Sequence, residues 1–228
     1  MTIKAVLLDL DDTLWPVAPV IQHAEATLYA WMKDHVPKVV SSYDISALRS
    51  RRQALVVTDP RFSYDLWALR HRLLQDVFVE QGEDPVKADA AMAVFAAARN
   101  AVALYPDVTP ALTELAKRVR LGTISNGFAD LHSIGLAPHF EVSIAAHQFG
   151  CAKPDPRIFH AACEKLSLAP DEVLYVGDDL VLDVQGAQQA GLQAGWMNRR
   201  GLHSEHPHHA HIKPDAEFND LHDLTQWL

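Results

Sequence analysis

The chain has 228 residues, about half of them hydrophobic (49%) and a fifth charged (21%), enough apolar material to bury a substantial core as one domain or as a domain carrying an insertion. Its formal net charge of -9 and the absence of any long basic run exclude a nucleic-acid polymer as the main partner, while leaving room for a small phosphorylated molecule that needs only a few local cations. Two cysteines, Cys151 and Cys163, are too few for a disulfide framework and read as small buried hydrophobes. No apolar stretch is long enough to span a membrane, and the chain passes into its first strand with no space for a signal peptide, so a cytoplasmic location is expected.

The first element is Ile3 to Leu8, an almost unbroken apolar run of the kind found in a parallel strand buried on both faces. Asp9, Asp11 and Thr13 follow on alternate positions, with Asp12 between the acids. In extended chain, residues two apart share a face, so Asp9 and Asp11 converge at the carboxyl end of a strand, where open α/β sheets place their ligands. Two carboxylates packed there need a cation or a proton between them. The bland alternative is a solvated acidic turn.

From Val17 to Leu104 the apolar spacing is helical. Ile21, Leu28 and Met32 mark one face, and Leu66, Leu69, Leu73, Val77 and Val79 another. Ala88 to Ala103 is a strong helix former, and breaks fall at Pro37, Pro60 and Gly82-Glu83-Asp84-Pro85. Alternation of strand and helix resumes at Tyr105-Pro106. Thr109-Pro110 predicts a capped helix to about Arg118, Val119 to Ser125 a strand, and Asn126-Gly127 a turn. A short helix runs towards Ile134 and Gly135, Val142 to Ala146 is a strand, and Asp155-Pro156 opens a helix through Leu166. Val173 to Val176 is the next strand, closed by Gly177; a helix follows from about Leu182 to Ala190; Ala194 to Met197 is the last strand. Phe218, Leu221 and Leu224 at helical spacing predict a packing helix. The histidines at 203, 206, 208, 209 and 211 lack a carboxylate or cysteine at ligand spacing, which favours an exposed loop over a metal site.

This alternation predicts an α/β fold, a doubly wound parallel sheet formed by residues 1–16 and 105–228, with residues 17–104 inserted as an all-helical block. Three further polar clusters sit at strand ends or helix starts: Ser125-Asn126-Gly127, Lys153-Pro154-Asp155-Pro156, and Gly177-Asp178-Asp179 with Asp183 beyond. Each alone has an ordinary reading, as a turn, a surface lysine beside a cap, or dipole partners of a helix. Together, in this order at successive strand ends, they put two acids, a hydroxyl, a lysine and another acid around one crevice.

These four stretches, DLDDT, SNG, KPDP and GDDLVLD, resemble the motifs of the haloacid dehalogenase (HAD) superfamily of phosphohydrolases, and they span the whole predicted core. The helical block after the first motif is similar to that superfamily's C1 cap on a Rossmann-like core. More narrowly, DLDDTLW with Pro19-Val20-Ile21, the stretch from Tyr64 to Arg70, and Val176-Gly177-Asp178-Asp179 resemble the bacterial phosphatases of FMN and of a ribitylamino-pyrimidine phosphate in riboflavin synthesis.

The resemblance implies a magnesium-dependent phosphatase of a small phosphorylated metabolite, monomeric or dimeric. Asp9 would be the nucleophile that forms an aspartyl-phosphate, and Asp11 the acid and then the base. The Asp9 and Asp178 side chains and the Asp11 carbonyl would be metal ligands, with Ser125, Asn126 and Lys153 on the phosphate. Thr13 would support the first loop, and either Asp179 or Asp183 would complete the metal shell. Trp15, Tyr64 and Trp67 are candidates to stack on a flavin or pyrimidine ring, or else core. Arg70, with Arg61 and Arg72, is a candidate second phosphate grip, or else a helix face. The second acid, Asp11, is the residue that dehalogenases of the superfamily lack; a sugar-phosphate mutase, a phosphatase of another metabolite such as phosphoglycolate or a nucleotide, or a catalytically silent ligand-binding relative would be the remaining alternatives.

Overall fold

The computed structural model describes residues 2–201 and 211–228; His203, His206, His208 and His209 lie outside the described residues. The chain forms two compact units, one of Met1–Pro16, Ala103–Gly127 and Gly135–Leu228, the other of Val17–Val102 and Phe128–Ile134. No described helix is long and apolar enough to cross a membrane.

The first unit is a six-stranded sheet in the order β3-β2-β1-β4-β5-β6, with every neighbouring pair parallel. The strands are β1 (Ala5–Leu8), β2 (Arg120–Ser125), β3 (Val142–Ala145), β4 (Val173–Gly177), β5 (Gln193–Met197) and β6 (Ala216–Phe218). β1 is wholly buried, as its unbroken apolar run requires between two layers of helix. Strand order reverses between β1 and β4, and Asp9 extends their pairing by donating its N–H to the Val176 carbonyl at 2.9 Å. The carboxyl ends of these two strands therefore flank the switch point of a doubly wound sheet, the crevice in which such folds bind ligands.

The second unit holds α1 (Val17–His35), α2 (Pro37–Ser42), α3 (Ile45–Leu55), α4 (Leu66–Glu80) and α5 (Lys87–Arg99) around Leu28, Met32, Leu73, Val77, Phe78, Met92 and Phe95. On α4 the buried stripe is Leu69, Leu73 and Val77, joined by Leu74 and Phe78. Leu66 and Val79, expected on that face, are exposed; Leu66 is the first helical residue, and Val79, two beyond Val77, points away from the stripe. The unit also takes in Phe128–Ile134: Phe128 packs edge-on against Trp67 at 5.5 Å, and Asp130 donates its N–H to Asn100 Oδ1 at 3.0 Å. That return of the chain depends on contacts distant in sequence, so no local pattern announces it.

The remaining helices are α6 (Val108–Leu115), α7 (Leu131–Ile134), α8 (Ala146–Phe149), α9 (Pro156–Leu166), α10 (Gly186–Gln189) and α11 (Leu221–Trp227). α9 opens as expected, with Asp155 accepting from the Arg157 N–H. Three elements differ from expectation. α6 begins at Val108 rather than after Thr109, and Asp107 before it makes no side-chain cap, because its carboxylate is taken by Arg199 and the Leu221 N–H. The predicted helix from Leu182 is instead a π-helical turn, Leu180–Gln185, in which the Asp179 carbonyl accepts from both Asp183 and Val184, followed by α10. Finally, Ala194–Met197 is not the last strand: β6 follows, and Phe218 lies in it rather than in a helix. A three-residue strand is too short to show a period of two, and Phe218 happens to fall at helical distance from Leu221 and Leu224.

Candidate active site

The site grows from the end of β1. Asp9 is buried, and its Oδ1 accepts from Lys153 Nζ at 2.7 Å. The same ammonium lies 2.6 Å from Asp183 Oδ1 and 2.7 Å from the Tyr175 hydroxyl, so three oxygens meet the three N–H donors of a buried lysine. The Tyr175 hydroxyl, buried in β4, is 3.0 Å from the Ile124 carbonyl.

Asn126 holds the lysine's backbone, with Lys153 N–H donating to Oδ1 at 2.8 Å and Nδ2 donating to the Lys153 carbonyl at 3.1 Å. The Asn126 amide thereby sets the Lys153 loop against the end of β2. Ser125, buried at that end, accepts from the Gly127 N–H at 3.0 Å, which leaves its own hydroxyl proton uncommitted by that bond.

Asp178 and Asp183 come from β4 and the π turn. Asp183 is packed over Gly177, where an added Cβ would lie 2.3 Å from the Asp183 carboxyl carbon; only glycine permits that approach. The Asp179 N–H donates to Asp183 Oδ2 at 2.9 Å, while the exposed Asp179 carboxylate caps the π turn through Val181 and Leu182. Of the two acids left open by the sequence, Asp183 is thus the one brought to the site. Carboxylate oxygens of Asp9, Asp178 and Asp183 lie within 4.8 Å of one another.

Burial pushes the Asp9 carboxyl up to about 7, with Asp183 adding to the effect and Lys153 opposing it. Burial likewise raises Asp178 to about 8, reinforced by Asp9 and Asp183. Lys153 is held above its ordinary value by Asp183 and Asp9 against the burial that would lower it. Three hard oxygen donors gather here, two of them, Asp9 and Asp183, paired with Lys153, a donor set that fits a hard divalent cation.

The loop after β1 is held from several sides. Asp11 Oδ1 accepts from the indole Nε1 of Trp15 at 2.8 Å. Asp12, in the left-handed region at φ 57°, donates its N–H to the Trp15 carbonyl at 2.7 Å and pairs with Arg200 at 2.8 Å. Thr13 is fully buried, with its carbonyl on Arg199 Nε at 2.8 Å. Arg199 in turn grips both oxygens of Asp107 and lies 4.1 Å over the Tyr105 ring. The sequence reading singled out neither Tyr175 nor the Arg199–Asp107 pair. Tyr175 carried a weak signal, a polar tip inside an otherwise apolar strand; Arg199 and Asp107 carried none.

Two of the candidate substrate contacts are corrected. Trp15 is 0% exposed, so its ring has no face left for stacking. Arg70 is buried in the helical unit, 3.5 Å from Glu25 and 3.7 Å over the Phe95 ring, and is no surface grip. Trp67 is half-buried against Phe128, and Tyr64 is half-buried at the end of the Pro60–Ser63 turn.

An acidic triad and a buried lysine thus meet at the switch point of a parallel α/β sheet. Residues 3–191 match the model of the haloacid dehalogenase-like hydrolase family, and the chain belongs to that family. Over 99% of its length it is 32% identical to the 5-amino-6-(5-phospho-D-ribitylamino)uracil phosphatase YigB of Escherichia coli, covering 96% of that protein. It is 30% identical to the phosphoserine phosphatase of Thermus thermophilus, over 97% of each chain. Among solved structures, a 2-haloacid dehalogenase from Pseudomonas syringae superposes with a TM-score of 0.91 at 37% identity, each chain covered completely. A HAD phosphatase from Thermococcus onnurineus gives a TM-score of 0.71 at 25% identity, covering 99% of this chain and 97% of that one. The enzyme is a HAD-type phosphatase.

Proposed function

We propose that the protein is a magnesium-dependent phosphomonoester hydrolase of the cytoplasm, acting on a small phosphorylated metabolite through an aspartyl-phosphate on Asp9. The observation that carries this reading is the Lys153 ammonium bonded to both Asp9 and Asp183 beside Asp178. A nucleophilic carboxylate must approach a dianionic ester, and fixed positive charge at that point offsets the repulsion. An Asp9 oxygen forms a bond to phosphorus; the ester P–O bond breaks, its electron pair passes to the alcohol oxygen, and Asp11 gives that oxygen a proton. Asp11, now a carboxylate, takes a proton from water as the water oxygen attacks phosphorus, and Asp9 departs with the electron pair of its own P–O bond. Asp9, Asp178 and the Asp11 carbonyl would hold the magnesium ion, with Asp183 steadying that shell, and the ion would neutralise phosphoryl charge. Ser125 would donate to a phosphoryl oxygen, and the helical unit would serve as the cap that excludes water.

The leading substrate is FMN or a riboflavin-pathway pyrimidine phosphate, supported by the full-length likeness to YigB. The likeness to a protein described as a 2-haloacid dehalogenase raises a second reading. A departing halide needs no proton, whereas an alkoxide does, and the presence of Asp11 favours phosphate esters. A mutase would need a second phosphate grip, but Arg61 is paired with Asp59, Arg70 with Glu25 and Arg72 with Asp76. The test is a panel of FMN, the pyrimidine phosphate, phosphoserine, glyceraldehyde 3-phosphate, phosphoglycolate, nucleotides, sugar phosphates and 2-chloropropionate, run with magnesium and with chelator. Magnesium-dependent phosphate release that disappears in Asp9→Asn is the expected result; halide release without phosphate release would refute it.

A further inference from the structure

The aromatic residue that closes the first motif has a place in the structure that ring stacking does not explain. Trp15 is fully buried, and a buried indole N–H requires an acceptor; the one it finds, at 2.8 Å, is the carboxylate of Asp11. The turn that brings them together is closed by the Asp12 N–H on the Trp15 carbonyl at 2.7 Å and the Leu14 N–H on the Leu10 carbonyl at 2.8 Å, with Asp12 in the left-handed region. A packed tryptophan has few accessible rotamers, so it is a stiffer anchor than a serine or lysine in the same place.

We propose that Trp15 is the positioning residue for Asp11: its indole N–H holds the carboxyl group in the rotamer from which it serves the ester and then water. The inference rests on the acid and base role given to Asp11 above. Indole nitrogen is a donor only, so the bond runs from Trp15 to an Asp11 oxygen and fixes the direction in which the carboxyl group faces. The hydrogen bond therefore selects the rotamer of Asp11. In the first step the carboxyl group gives its proton to the alcohol oxygen as the ester P–O bond breaks; in the second it takes a proton from water. Without the indole N–H the carboxyl can rotate, and the loss is felt where the leaving group needs protonation.

The test is Trp15→Phe, compared with wild type on FMN, an alkyl ester, and on p-nitrophenyl phosphate, whose leaving group departs without help. The expected result is a fall in kcat of about tenfold or more on FMN, with the aryl ester within about threefold of wild type and KM little changed on both. Equal loss on the two esters, or no loss on FMN, would overturn the proposal. Because Trp15→Phe could fail to fold, site-specific replacement of Trp15 by 3-benzothienylalanine, which keeps the bicyclic shape and exchanges N–H for sulfur, gives the same comparison without a cavity. In metal-free protein labelled with [15N]tryptophan, the indole resonance missing from Trp15→Phe should move upfield and exchange faster in Asp11→Ala; an unmoved resonance would also overturn it. Wild-type protein inert to both esters would instead remove the function on which the inference stands.

Discussion

Lys153 and Asp9 are 144 positions apart in the chain and 2.7 Å apart in the structure. The contact exists because β1 and β4 are neighbours, and the loop before α9 lays its lysine across their carboxyl ends between Asp9 and Asp183. Replacing Lys153 by Met leaves two buried carboxylates without their countercharge. Turnover should fall about 100- to 1,000-fold, and metal-free stability by about 3–5 kcal/mol. Phosphate-release kinetics and urea denaturation measure the two effects. Magnesium should recover part of the stability and little of the rate.

Gly177 gives Asp183 its position. Gly177→Ala would set a methyl group 2.3 Å from the Asp183 carboxyl, so that the π turn must shift and carry Asp183 away from Asp9 and Asp178. Magnesium affinity, read by titration calorimetry, should weaken about tenfold or more, and stability should fall by about 1–3 kcal/mol. Unchanged affinity would mean that Asp183 plays no part in shaping the metal site.

The sequence exposed what depends on local pattern. An apolar run ending in alternate acids identified the first strand and Asp9; Gly177 with two acids marked the matching end of β4; Asp155-Pro156 marked the start of α9. The choice between Asp179 and Asp183 was hidden, because it turns on one extra residue in a helical turn, which rotates Asp183 inward and leaves Asp179 to cap. Trp15 looked like a stacking ring because composition cannot tell a buried aromatic from an exposed one. The part Asn126 plays in setting the lysine loop was hidden because its partner, the Lys153 backbone, lies 27 positions away. The Arg199–Asp107 pair, 92 positions apart, had no local signal at all.

Arg199 links three pieces of the first unit: the Thr13 carbonyl of the loop after β1, the Asp107 carboxylate before α6, and the Tyr105 ring. Asp107 also accepts from the Leu221 N–H at the start of α11. Although burial alone would raise it, hydrogen bonds from Arg199 and Leu221 hold this carboxyl below its usual value. Its contribution to stability is therefore present above the ordinary carboxylate range and is lost as pH falls through the depressed value. Asp107→Asn should cost about 2 kcal/mol near neutral pH and flatten the acid limb of the stability profile. Urea midpoints followed down the acid range would show both; a parallel, merely lowered profile would contradict the assignment.

In the helical unit, Glu25 is a buried carboxylate bonded to Arg49 and 3.1 Å from Arg52, with Arg70 at 3.5 Å. Arg49 is half exposed and adds little, whereas Arg70 is buried and its charge is opposed by burial and then by Arg52. Glu25→Gln removes the anion and leaves that guanidinium in apolar surroundings beside Phe95. A loss of about 2–4 kcal/mol is expected, read by thermal or urea denaturation. The double variant Glu25→Gln with Arg70→Met should be more stable than Glu25→Gln alone, because the unpaired charge goes with the arginine.

The acidic triad makes a last prediction about pH and metal together. Asp9 and Asp178 are raised to about 7 and about 8, chiefly by burial, from an ordinary value of 3.8. Between those values the folded protein keeps protons that the unfolded chain has released, so metal-free stability must decline as pH rises from about 4 to about 8. Lys153, held above its usual value, stays charged throughout that window and does not cancel the trend. A divalent ion reverses the balance, because it binds the ionised carboxylates and adds stability only to the folded state. The melting temperature in chelator should therefore fall between about pH 4 and about pH 8, and the gain on adding magnesium should grow over the same range. Protein with Asp178→Asn should show a shallower decline and a smaller magnesium gain. A magnesium gain that is the same at both ends of the range would mean that the ion binds elsewhere than on these carboxylates.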